Sequence, residues 1–151
     1  VRQIENQNLH ALNIPELTII TPAALQTEAE RVAQLHREEG LTVAVIEQEK
    51  IFNEFSSGTP DASAYRRLMK MFYDRAEGNE NVRPRYLLLF GDGSYNNRKS
   101  MEKLHSPECN MLLTYQSKTS IDERESFVIE DYFGFLEDNS GEEIKVDKVC
   151  L

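Results

Sequence analysis

The stretch from Phe52 to Asp92 decides the fold. It lies within IFNEFSSGTPDASAYRRLMKMFYDRA (residues 51–76), the polar run GNENVRP (78–84) and RYLLLFGDGSYNNR (85–98). Tyr65, Leu68, Met69, Phe72, Tyr73 and Ala76 fall at i, i+3, i+4, i+7, i+8 and i+11, which is one apolar stripe of an amphipathic helix. Thr59 and Pro60 supply a cap and a first-turn residue ahead of it, and Gly78 supplies a left-handed stop. The stripe makes Tyr65, Phe72 and Tyr73 core residues, and leaves Arg66, Arg67 and Lys70 on the outer face. Residues 50–58, ending in SSGTPD turn chemistry, read as a connection. YLLLF (86–90) then reads as a strand buried on both faces that delivers GDGS to a carboxyl edge, where open α/β sheets bind ligands.

Upstream, residues 1–16 form a lead-in segment with scattered apolar anchors, Ile4, Leu9, Leu12 and Ile14. LTIIT (17–21) is a β-branched strand candidate, and Thr21 with Pro22 again announces a helix, running to about Glu39 and ending at Gly40. LTVAVI (41–46) is a second strand, so strand, helix and strand follow in about 30 residues as a βαβ unit. Downstream, residues 92–110 read as a long polar loop, 111–115 and 127–136 as short strands or hairpin arms, EDNSGEE (137–143) as a turn, and 146–151 as a further strand.

A chain of 151 residues with 40% hydrophobic content is sized for one core. Its net charge of −9 and pI near 4.9 oppose nucleic-acid binding, which needs gathered basic residues. No apolar run approaches the roughly 20 residues of a membrane span, and no signal-peptide pattern opens the sequence. Cys109 and Cys150 lack the spacing of a zinc knuckle or redox pair and read as isolated thiols. His10, His36 and His105 are scattered, giving weak support to an internal Cys-His pair. His36, late in its helix, suits packing or the helix dipole.

Two carboxylates stand out as supporting groups at the sheet edge. Asp92, in GDGS, can bind a cation, orient a histidine or receive a positive group of a substrate; Asp in such a setting also caps turns. The flanking glycines match neither a phosphate loop nor a dinucleotide fingerprint. Asp131, in VIEDYFGFL, sits within an apolar and aromatic stretch; it can reach the same edge or serve as a turn residue. EDNSGEE offers oxygen ligands without EF-hand spacing, so a solvated turn is favoured and calcium is left open. Ser56 and Ser57 lack a nucleophile elbow and a neighbouring histidine.

NEFSSGTPDASAYRRLMKMFYDRA (53–76), PRYLLLFGDGSYNNR (84–98), LLTYQS (112–117), DYFGFLED (131–138) and the later DKV (147–149), together with ENQNLHALNIPELTIITP (5–22), resemble the gingipain family of cysteine peptidases. Within it the chain is most similar to the sortase-type signal peptidases of the type IX secretion system of Bacteroidetes. The resemblance implies a three-layer, caspase-like (Rossmann-like) α/β fold, a mostly parallel sheet with flanking helices, truncated on its C-terminal side. Residues 17–151 would be the N-terminal portion of the peptidase domain.

The implied chemistry is a His-Cys dyad that cleaves C-terminal sorting domains from exported cargo and attaches the cargo to surface lipopolysaccharide. It implies no cofactor, cargo and secretion components as protein partners, and an exported parent at the outer-membrane surface. The family's catalytic His lies in a Gly-His-Gly setting that this sequence lacks, and neither His105 with Cys109 nor Cys150 matches the dyad. No catalytic residue carries over, so the chain alone is expected to be inactive, with its last strand edge open to self-association. The alternatives are a non-catalytic binding module for secretion cargo or components, and an unrelated small α/β domain whose GDGS loop takes a metal or a phosphorylated ligand.

Overall fold

The computed structural model describes residues 6–94, 96–98, 111–116, 128–136 and 148–150. β1 (Leu17–Thr21) is buried at all five positions. It pairs in parallel on one side with β2 (Val43–Glu47) and on the other with β3 (Tyr86–Leu89). β6 (Lys148–Cys150) adds in parallel to β3, giving the order β2-β1-β3-β6. Beyond the GDGS turn, β4 (Asp92–Gly93) and β5 (Met111–Leu112) form a separate two-residue parallel ladder.

Helices cover both faces, making three layers. On one face Leu17 and Ile19 pack with Ala29 and Ala33 of α1 (Gln26–Glu38), Val43, Val45 and Leu88 joining them. On the other, Ile20, Ile46, Leu87 and Leu89 meet Ile51 and Phe52 of α2 (Gln48–Phe55) and Tyr65, Leu68, Met69 and Phe72 of α3 (Ser63–Arg75). Phe133 and Leu136 complete that core. The apolar stripe predicted for α3 is thus the buried one, with Tyr73 at its margin.

Several local expectations are corrected. The Thr21 hydroxyl donates to the Pro22 carbonyl at 3.3 Å instead of capping, because Thr21 is still extended in β1 opposite Glu47. A 3-10 turn, Ala23–Leu25, therefore precedes α1. At the far end Gly40 (φ 97) allows its own N–H to reach the Arg37 carbonyl and the Leu41 N–H to reach that of His36, both at 3.0 Å. This is a Schellman closure, and it consumes Leu41, so β2 begins two residues later than its apolar run. His36 lies in the last turn, its Nδ1 3.0 Å from the Glu39 carboxylate.

Residues 50–58 are not a plain connection: α2 starts directly from β2, without a side-chain cap. Ser56, Ser57 (φ 54) and Gly58 (φ 78) end it, the Gly58 N–H bonding to the Phe52 carbonyl at 2.8 Å. α3 begins past the expected Thr59, with Ala62 at its N-cap position and no side-chain cap, while just ahead of it the Asp61 carboxylate accepts from the Ser63 N–H at 2.8 Å. Arg66 and Lys70 do not face away from the protein. The Arg66 Nε–H donates to the Phe135 carbonyl at 2.6 Å and the Lys70 ammonium to that of Leu136 at 3.2 Å, while Arg67 is exposed. The expected arm at 127–136 is instead a 3-10 helix, Asp131–Gly134, preceded by a single antiparallel bridge between Gln116 and Val128. Burial of Phe133 and Gly134 against α3 folds that segment inward. The turn expected at 137–143 lies outside the described residues.

The lead-in segment is docked through one carboxylate. Glu54 on α2 accepts from the Leu9 N–H at 2.8 and 2.9 Å and from Gln7 Nε2 at 2.9 Å, and meets His10 Nδ1 at 2.8 Å. His10 also stacks on Phe55, centroids 4.7 Å apart, and Arg75 donates to the His10 carbonyl at 2.6 Å. Partial burial of Glu54 works against its charge, but the Leu9 amide, the Gln7 and His10 side chains and the His10 amide outweigh it and hold the carboxyl below its ordinary 4.5. A lowered folded value means that this contribution is complete above 4.5 and is lost as pH falls through the folded value. Protection of the Leu9 amide from hydrogen exchange is therefore expected to hold above about pH 4.5 and to fall as the pH drops below it, and Glu54→Gln should remove most of that pH dependence.

Candidate functional site at the carboxyl edge of the sheet

Above the ends of β2 and β3 the chain buries a connected set of polar side chains. Gln48, the first residue of α2, is 2% exposed. Its Nε2 donates to the Met111 carbonyl at 2.8 Å, and its Oε1 accepts from the Tyr65 hydroxyl at 2.7 Å. The same hydroxyl accepts the Leu113 N–H at 3.3 Å. Gln48, Tyr65 and the 111–113 backbone thus form a closed ring joining α2, α3 and β5. Burial pushes the Tyr65 phenol well above its ordinary 10.0, the Leu113 amide acting only weakly against it, so it stays a neutral donor.

A second bracket lies beside the first. The Asn97 amide bonds the Thr114 backbone in both directions, Nδ2 donating to the carbonyl at 2.7 Å and Oδ1 accepting the N–H at 3.0 Å. The Thr114 hydroxyl donates to the Ser94 carbonyl at 2.8 Å. With the register Asp92↔Met111 and Gly93↔Leu112, these bonds close the GDGS turn onto 111–114. Nearby, Tyr115 stacks on Tyr132 at 3.5 Å, and the Arg66 guanidinium lies 5.6 Å from the Tyr132 centroid. Arginine over an aromatic face is attractive, and the stack ties the Asp131–Gly134 helix to α3.

Asp92 opens β4 and is exposed; Asp131 opens the 3-10 helix and is also exposed. The first stands at the predicted edge, the second on the segment packed against α3, and among the described residues no hydrogen bond joins them. Cys109, His105 and the acidic run 137–143 lie outside the described residues, as does the side chain of Cys150. Among the described residues no group of three His, Cys, Asp or Glu is arranged to hold a metal ion, and no helix is long and apolar enough to cross a membrane. Sequence reasoning did not single out Gln48, Asn97 or Thr114. A glutamine at a strand–helix junction carries no periodic signal, and Asn97 finds its partner 17 positions away.

The Peptidase family C25 model matches residues 10–150. The chain belongs to this peptidase family. Its caspase-like fold follows from a solved structure, dimeric latent PorU from Porphyromonas gingivalis, which superposes with a TM-score of 0.77 at 47% identity. The match covers 91% of this chain and 13% of that one, so this C25 chain spans only a small part of that protein's length. No curated protein matched. Membership leaves the reading as an unrelated metal- or phosphate-binding domain without support.

The ring makes a direct prediction for this C25 chain. Tyr65→Phe leaves Gln48 Oε1 and the Leu113 N–H buried and unpaired, and should lower stability by about 1–3 kcal/mol in urea unfolding. A change within about 0.5 kcal/mol would place the hydroxyl outside the network.

Proposed function

We propose that this chain supplies the N-terminal half-sheet of the catalytic domain of a type IX sortase. In that domain a cysteine thiolate attacks the carbonyl at the junction between a cargo protein and its C-terminal sorting domain. Backbone donors stabilise the oxyanion, and the scissile C–N bond breaks as the dyad histidine protonates the departing sorting-domain amine. An amine acceptor in place of water then displaces the thiolate from the acyl-thioester, attaching the cargo to surface lipopolysaccharide. The observation that carries this reading is the 47% identity to PorU over 91% of the chain, together with membership of a peptidase family.

The role of these residues is architectural. Residues 17–151 provide parallel strands and their carboxyl-edge loops, with the lead-in segment clasped against α2. The His-Cys dyad comes from other parts of the domain, and Asp92 and Asp131 act only as supporting groups. Exported cargo and secretion components are the partners, and the outer-membrane surface is the site of action.

Cleavage of a peptide spanning a cargo–sorting-domain junction tests this. The full-length protein should cleave it and lose activity on thiol alkylation, whereas the 151-residue chain should show none. Cysteine-dependent cleavage by the short chain, or an alkylation-resistant full-length protein, would overturn the reading.

A further inference from the structure

The brackets over the sheet's carboxyl edge hold more than a core. Buried polar groups cost stability unless each is paired, and here Gln48 and Tyr65 hold the backbone of 111–113 while Asn97 and Thr114 join that segment to the GDGS turn. Tyr65 also packs in the apolar core, but the hydrogen bonds of this network act on the backbone, holding residues 92–94, 96, 97 and 111–114 in place. Asn97 shows this most plainly, because its amide stands in for a neighbouring strand by bonding both the N–H and the carbonyl of Thr114. Thr114 passes the constraint on through the Ser94 carbonyl, and the Asn96 N–H closes the turn on Ser94 Oγ at 3.1 Å.

What the clamp displays is Asp92. Its backbone is fixed opposite Met111, its side chain is exposed, and its carboxylate has no partner among the described residues. Gly93, next in line, leaves the backbone open to close approach. An exposed acceptor without a partner among the described residues, on a turn held at the carboxyl end of a parallel strand, is placed for a ligand.

We propose that Asp92 is a binding residue for an extended peptide, its carboxylate accepting from an N–H donor of that peptide, and that Asn97 is the positioning residue that holds it there. This rests on the peptidase reading and names a contact within it. The donor is either a main-chain amide or a lysine ammonium.

The experiment measures binding and cleavage separately on the full-length protein. The probe is a fluorescein-labelled peptide spanning a cargo–sorting-domain junction and containing lysine, with a lysine-acetylated twin. Asp92→Ala should weaken anisotropy-detected binding about tenfold, the loss of one hydrogen bond to a charge, with an unchanged Tm because the side chain is exposed. Asn97→Ala should weaken binding similarly and speed exchange of the Gly93 and Thr114 amides. The double variant should bind no worse than Asp92→Ala alone, since Asn97 acts through Asp92.

If the acetylated twin no longer senses Asp92, the donor is the ammonium; if it still does, the donor is a main-chain amide. Both results support the proposal. Unchanged binding in Asp92→Ala, additive losses in the double variant, or no binding by the unaltered protein would overturn it. Binding that depends on Asp92 without any cleavage would instead remove the peptidase reading and leave this contact standing.

Discussion

The structure depends on the burial of β1 from every direction. All five of its residues are buried, and its backbone is paired in parallel on both edges. A strand in that position has no solvent to hydrogen-bond its peptide groups, so both neighbouring ladders must form together. Its side chains alternate, Leu17 and Ile19 to one face and Ile20 to the other, so helices are required above and below. α1 meets the first face with alanines, which bring the helix close. α2 and α3 meet the second with aromatics and larger aliphatics, which is why that layer carries most of the apolar volume.

The same requirement explains the polar brackets. Where β5 passes over the core its backbone lacks a long ladder, and Gln48 and Tyr65 supply the missing donors and acceptors. Asn97 does so for Thr114. At the opposite side Glu54 satisfies the first amide of the Leu9–Ala11 turn in place of a local cap. The 111–113 segment and the Leu9–Ala11 turn are thereby tied to helices, and Asn97 ties its own turn to Thr114, each side chain meeting a specific backbone need. This keeps irregular chain in fixed positions around a regular sheet, which suits a scaffold for catalytic groups supplied from elsewhere in a C25 domain.

What was legible in the sequence follows from which signals are periodic. The α3 stripe spans more than three turns, and the apolar runs of β1 and β3 are continuous because both faces are covered; each was readable. α2 was not, since its eight residues place Ile51, Phe52 and Phe55 over too short a span to establish a period, and no cap residue marks its start. The start of α3 lies past Thr59 because several residues there can turn the chain, and only the path of the chain selects where the helix begins. The inward fold of Asp131–Gly134 is set by its aromatic contacts with α3, which are long-range. The Gln48–Tyr65 and Asn97–Thr114 pairings are likewise long-range and left no local trace. The family resemblance was legible because it rests on whole segments in order, and it is borne out by the C25 match and by the PorU superposition.

The central claim is that the carboxyl-edge loops and the sheet form one cooperative unit. Native-state hydrogen exchange of the chain tests it most directly, by comparing the Leu113 amide with the amides of Ile19 and Leu88. The account predicts that all three exchange with the same free energy, through global unfolding. Exchange of Leu113 by a local opening several kcal/mol cheaper than that of β1 would contradict it.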